Sequence, residues 1–165
     1  DEEALKLKTA RRSAFSALAR VKPTTILEDA TVPRSQVAPL VVKIQEIAKK
    51  YNVLIANFGH AGDGNLHPTG LTDERNPEEI SRVEKAFIEI FKATIEMGGT
   101  ITGEHGVGLA KKEFLKAWIN PGAMKMMQTF RQMFDPNGIL NPGKIFDMKP
   151  KCEGKMPLPA TDRMA

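Results

Sequence analysis

Apolar residues recur at helical spacing between Glu2 and about Arg20, at Leu7, Ala10, Ala14 and Leu18, and Pro23 closes this first helix. Residues 24–32 are rich in β-branched side chains and stop at Pro33, which predicts a strand. Ser35 is the expected N-cap of a second helix carrying Val37, Leu40, Val41, Ile44, Ile47 and Ala48, with Pro39 tolerated in its first turn. Residues 53–58 read as the next strand. A Gly-rich turn containing Asp63-Gly64 then returns the chain as a hairpin partner from Asn65 to Leu71. Asn76, Pro77 and Glu79 open a long helix whose buried face is Ile80, Val83, Phe87, Ile90 and Phe91, and Gly98 closes it. Thr100-Ile101-Thr102 predicts a short last strand.

Strand, helix, strand, strand, helix, strand is the order of an α+β fold with the ferredoxin-like βαββαβ pattern. After Gly108 the character changes to additional C-terminal helices, one around residues 112–118 and another over residues 121–134. Met124, Met126, Met127 and Met133 on or near the latter are expected to pack in the core, a partner-domain interface being the alternative. Residues 1–147 read as one domain. Residues 148–165, with three prolines and little apolar periodicity, read as an extended or disordered tail.

Composition narrows the classes. At 165 residues, with 41% hydrophobic and 27% charged residues, the chain can bury a genuine core. No apolar run approaches the ~18–20 residues of a membrane span, and the N-terminal Asp-Glu-Glu-Ala-Leu-Lys-Leu-Lys is not a signal peptide. The single Cys152 cannot form an internal disulfide, which suits a reducing, cytoplasmic location. The net charge of +4 is modest, and aromatics (6%) do not interleave with the basic groups, which argues against a nucleic-acid partner and fits small anionic ligands. Opening at Asp1 inside a helical pattern, the chain reads as a fragment of a longer polypeptide.

All three histidines lie in two Gly-rich stretches, residues 59–67 and 99–108. His60 and His67 are seven apart across a turn that can aim both imidazoles to one side, while Gly59, Gly62 and Gly64 let backbone pass close to a ligand. Glu104 arrives after the next strand. Two imidazoles and a carboxylate are the donors of a divalent-metal site with positions left open for substrate. His105 is expected not to share that ion, because adjacent side chains diverge, and so to be free as a general base; an imidazole's ordinary pKa of about 6.5 suits the task. The plainer reading is loop histidines hydrogen-bonded to the backbone. Arg11 and Arg12 can grip a carboxylate bidentately or simply line a solvated helix face. Asp63 reads as a turn former, and Asn141 as a turn residue before Pro142.

Gly-His-Ala-Gly-Asp-Gly-Asn-Leu-His at 59–67, Gly-Glu-His-Gly-Val-Gly at 103–108 and Asp-Pro-Asn-Gly-Ile-Leu-Asn-Pro-Gly-Lys at 135–144 resemble the C-terminal part of FAD-linked oxidases of the vanillyl-alcohol-oxidase type. The segment 27–35 fits the same pattern, and the resemblance spans residues 5–147. The nearest group is that of glycolate oxidase FAD subunits and D-lactate dehydrogenases, with D-2-hydroxyglutarate dehydrogenases beside it. The resemblance implies that His60, His67 and Glu104 ligate a divalent metal, commonly zinc, and that His105 is the catalytic base. It sets Asn141 near the flavin and Arg11 on the substrate carboxylate. Lys8 stands where a tryptophan often precedes that arginine, and Arg12 is the substitute. The implied reaction oxidises a D-2-hydroxy acid to a 2-keto acid with FAD as hydride acceptor.

The family carries its FAD-binding domain N-terminal to this region. The resemblance therefore implies that FAD is bound mainly outside this chain, and that the isolated chain is inactive. The partners expected are the FAD domain, the hydroxy-acid substrate and electron-transfer subunits, through which a membrane association would come. The rival readings are a non-flavin two-His-one-carboxylate metalloenzyme and a metal-binding module with a structural ion.

Overall fold

In the computed structural model, which describes residues 2–147, the chain falls into two units, Asp1–Gly106 and Val107–Ala165. The expected tail over residues 148–165, with Cys152, lies outside the described residues. The first unit runs α1 (Glu2–Leu18), β1 (Thr24–Leu27), β2 (Ala30–Thr31), α2 (Val37–Tyr51), β3 (Leu54–His60), β4 (Asn65–Thr72) and α3 (Pro77–Glu96). Among the described residues no helix is long and apolar enough to cross a membrane.

The sheet is antiparallel, with β4 at its centre, β3 along one edge and β1 and β2 in succession along the other. Thr100 adds a bridge to Thr31 on the far side of β2. This is the ferredoxin-like α+β order, with one correction: the expected strand 100–102 is reduced to that bridge. The expected strand 24–32 is likewise split. Its register is the same on both sides of the break, Leu27 opposite Thr69 and Ala30 opposite Leu66, which sets Glu28 opposite Pro68 and Asp29 opposite His67. The Glu28 N–H donates to the Pro68 carbonyl at 3.1 Å. Proline has no N–H to return the bond, so the ladder lapses there.

Helices α2 and α3 pack on each other and on the sheet. Leu40, Ile44 and Ile47 of α2 are buried, as are Val83, Phe87, Ile90 and Phe91 of α3, one face of each helix. The start of α3 is as the sequence predicts: the Asn76 side chain accepts from the Glu79 N–H at 3.2 Å and Pro77 occupies the first turn. The start of α2 is not. A 3₁₀ turn, Arg34–Gln36, precedes it, its cap position is Gln36 with no side-chain bond, and Ser35 is no N-cap. Lys50 and Tyr51 of α2 both reach Glu89 of α3, at 2.6 and 2.8 Å.

The second unit holds α4 (Lys112–Trp118) and α5 (Pro121–Phe134), followed by the Asp135–Lys144 segment. None of the residues of α5 is buried, and Met126, Phe130, Met133 and Phe134 are mostly exposed, so core packing of these methionines is not what the structure shows. Asp135 organises the segment that follows. Its carboxylate accepts the amides of Ile139 and Leu140, each at 2.9 Å, and the Arg131 guanidinium at 3.0 Å. Burial alone would push this carboxyl up, but those donors outweigh it and hold it below the ordinary carboxylate range.

Two outcomes are expected. A Cβ built on Gly70 would lie 2.9 Å from Val83 Cγ1 and 3.1 Å from Phe87 Cε2, so Gly70→Ala should lower stability by about 1–3 kcal/mol through overpacking, read as an earlier denaturant midpoint. Because the folded Asp135 carboxyl titrates below the unfolded value of ~3.9, its contribution is present above that value and is lost as pH falls through the folded one. Asp135→Asn should therefore be less stable at neutral pH, with a shallower loss below about pH 4 in acid-unfolding curves.

Candidate active site

Side chains alternate across a strand, so the sheet has two distinct faces. Gly70 faces the α3 side chains, and with it Leu66, Pro68 and Thr72. Asn65, His67, Thr69 and Leu71 point the other way. Register then aligns polar residues across three strands. Thr31, Asn65 and His60 form one row, and Asp29, His67 and Phe58 the next. His60 and His67 thus share a face, as the turn between them predicts.

The loop after Thr100 closes over these rows. Glu104 Oε1 lies 3.4 Å from His60 Nε2 and 3.0 Å from His67 Nε2. The same oxygen accepts the Asn65 side-chain amide at 3.3 Å. Asn65 is held in turn by the Thr31 hydroxyl, which donates to its Oδ1 at 2.7 Å. Gly103 allows this approach: a Cβ there would stand 2.5 Å from Thr31 Oγ1 and 2.6 Å from the Asn65 amide. Asx and glycine chemistry places the carboxylate.

Beneath them sits Asp29, which is fully buried. Its Oδ1 is 3.0 Å from His67 Nδ1 and 2.7 Å from His105 Nδ1. Its Oδ2 accepts the amide of His105 at 2.9 Å, and those of Gly103 and Glu104 and the Thr102 hydroxyl at 3.4 Å each. The loop therefore wraps its backbone around one carboxylate instead of extending as a strand. For that reason the side chains of Glu104 and His105 do not diverge as expected. Asp29, His67, Glu104 and His105 each offer a ligand atom within 4.8 Å of the others. The His67 ring centroid is 5.3 Å from that of His60 and 5.0 Å from that of His105.

Exposure separates roles. The side chains of His60, Glu104 and His105 are 42%, 49% and 45% exposed, whereas that of His67 is 10% and that of Asp29 is 0%. The open rim faces solvent and the orienting groups lie below. Asp63 is exposed in the turn and offers no ligand atom to the cluster. Arg11 and Arg12 are exposed on α1, and neither makes an ion pair among the described residues. Arg11 lies one turn before Phe15, whose ring meets Phe58 of β3 at 6.3 Å, in the second polar row. Asn141 lies in the other unit, left-handed at φ 45°, with its Oδ1 accepting from Lys144 at 3.4 Å.

Sequence reasoning missed Asp29, Asn65, Thr31 and Thr102. Asp29 had a signal: aspartate is depleted in strands, and this one falls on the same face as Leu27 and Thr31 in an otherwise β-branched run.

Residues 1–145 match the family described as FAD linked oxidases, C-terminal domain. A glycolate oxidase subunit GlcD of Bacillus subtilis (strain 168) is 60% identical over 146 residues, 88% of this chain and 31% of that protein. The glycolate oxidase subunit GlcD of Escherichia coli (strain K12) is 33% identical over 172 aligned residues, 99% of this chain and 34% of that protein. A D-lactate dehydrogenase of Anaerostipes hadrus is 35% identical over 118 residues, 71% of this chain and 25% of that protein. The chain therefore spans about a quarter to a third of the length of these curated relatives.

The packing of Gly103 against Asn65 yields one expectation. Gly103→Ala should displace the Glu104 loop and lower stability by about 1–3 kcal/mol, measured by thermal unfolding, with the NMR signals of Asn65 and Thr31 shifted most.

Proposed function

Since this chain belongs to the C-terminal domain family of the FAD linked oxidases, we propose that it supplies the substrate-binding and proton-transfer part of a flavin-dependent D-2-hydroxy-acid dehydrogenase. The observation that carries the reading is the convergence of His60 Nε2 and His67 Nε2 on one oxygen of Glu104, with the His105 ring alongside. The names of the relatives, glycolate oxidase subunits and a D-lactate dehydrogenase, support small 2-hydroxy acids such as glycolate or D-lactate as substrates.

A divalent cation fits the donor set. His67 Nδ1 is engaged by Asp29, so its Nε2 lone pair faces the Glu104 carboxylate at 3.0 Å. Two acceptors so close need a cation or a proton between them. Two imidazole nitrogens 3.4 and 3.0 Å from one carboxylate oxygen are a donor set that suits zinc. Held by His60, His67 and Glu104, such an ion would supply Lewis-acid charge to acidify a bound 2-hydroxyl. Bound flavin, held mainly outside this chain, supplies the acceptor for the C2 hydride.

The chain's own residues do the rest. His105 presents its Nε2 edge, Nδ1 being turned to Asp29, and accepts the hydroxyl proton as the hydride departs, which leaves the 2-keto acid. Arg11, on the same side of α1 as Phe15 and in no ion pair among the described residues, grips the substrate carboxylate; Arg12 is the substitute. Asn141, in the Asn-Pro-Gly segment, contacts the flavin. Turnover belongs to the polypeptide that also carries the flavin-binding region, in the cytoplasm. The "subunit" in the GlcD names supports further electron-transfer subunits as partners.

A second reading has one observation in its favour. The group Asp29, His67, Glu104 and His105 could close around an ion and leave no base, as in a structural metal module. Elemental analysis separates the two. Metal lost in His60→Ala and Glu104→Ala but retained in His105→Ala supports the catalytic set; metal lost in His105→Ala and retained in His60→Ala supports the closed one. In the full-length polypeptide oxidising glycolate or D-lactate, His105→Ala should lower kcat by about 10²–10⁴ with metal content unchanged.

A further inference from the structure

The buried carboxylate of Asp29 makes contacts of two kinds, and neither is accounted for by the reaction. One oxygen meets two imidazoles, both at Nδ1. The other meets three consecutive backbone amides and a hydroxyl. A carboxylate offers only acceptors. His105 must then bring its proton to Nδ1, which leaves its Nε2 bare, whereas His67 faces a second carboxylate oxygen, Glu104 Oε1, 3.0 Å from its Nε2.

From this geometry we infer that Asp29 is the positioning residue of the site. Its carboxylate holds His105 in the Nδ1–H form, so that Nε2 of His105 is a proton acceptor, and it anchors the Nδ1 side of His67, whose Nε2 is turned to Glu104. The assignment rests on the metal and base roles proposed above only for its consequence, since the His105 proton is placed by its contact with Asp29. Through its second oxygen the same carboxylate folds the loop that carries Glu104 and His105. One buried group thus sets both where these side chains stand and which nitrogen His105 presents. His60, which does not touch Asp29, lies outside this control and serves as the internal reference.

Asp29→Asn distinguishes orientation from mere folding. The amides of Gly103, Glu104 and His105 still require an acceptor, so the asparagine oxygen must face them. Its NH₂ then faces the two imidazoles, whose Nδ1 atoms become acceptors, and the His105 proton moves to Nε2. The loop is kept and the His105 tautomer inverts.

The test is a set of long-range ¹H–¹⁵N spectra of the histidine side chains, recorded on the metal-free chain in alkaline buffer. The expected result is Nδ1–H for His105 in the unsubstituted chain, inverted to Nε2–H in Asp29→Asn with His60 unchanged. Zinc affinity should fall about 10–100-fold in the variant. An Nε2–H ring at His105 in the unsubstituted chain would overturn the inference even if Asp29→Asn failed to fold, as would an unaltered His105 tautomer in a folded variant. Failure of the metal reading looks different: an Nδ1–H ring at His105 in a chain that takes up no zinc, or takes it up independently of Glu104, leaves Asp29 orienting the imidazole but sinks the metal site.

Discussion

A carboxylate taken fully out of water is costly unless every lone pair finds a donor. Asp29 meets that demand with two imidazoles, three amides and a hydroxyl, and the site is the shape those donors must take around it. The Thr102–His105 loop abandons strand pairing because its N–H groups point at Asp29 instead of at a neighbour. His67 stands opposite Asp29 in the sheet register, and His105 arrives from the loop.

The break in the first strand belongs to the same economy of donors. Pro68 withholds one ladder bond at the position before Asp29, so the backbone there is tied on one side only. The register nevertheless continues, which keeps Asp29 opposite His67 and Thr31 opposite Asn65. Two polar rows result, one ending at His60 and the other at Phe58. The helices cover the opposite face, so the sheet can be apolar behind and polar in front. Glu104, His60 and His105 remain about half exposed above a floor that is not, an arrangement suited to groups that exchange a ligand or a proton with what lies outside.

The second unit shows the same device on a smaller scale. Asp135 gathers Ile139, Leu140 and Arg131 and so shapes the Asp-Pro-Asn-Gly turn that the motif comparison singles out. Lys112 and Lys116 converge on Asp147 and hold its carboxyl below the ordinary range. Helix α5 has no buried residue, and Met126, Phe130, Met133 and Phe134 remain mostly exposed. A carboxylate, not a hydrophobic centre, organises the segment that follows it.

Periodicity along the chain was enough for the helices and the hairpin, because a helix face or a paired turn is a local property of neighbouring residues. The Gly-His and Glu-His motifs likewise marked His60, His67, Glu104 and His105 from residue type and spacing alone. The importance of Asp29, Asn65 and Thr31 was decided elsewhere. Each acts through a partner dozens of positions away, chosen by strand register and by the path of a loop. Ser35 carried the right chemistry for a cap and yet caps nothing, because a 3₁₀ turn intervenes before α2. The expected divergence of Glu104 and His105 failed for the same kind of reason: neighbours diverge on a strand, and only the fold determined that this segment would curl around a buried charge. Local pattern determined which residues could do chemistry, whereas the long-range pairing of donors with a single buried acceptor decided where they meet.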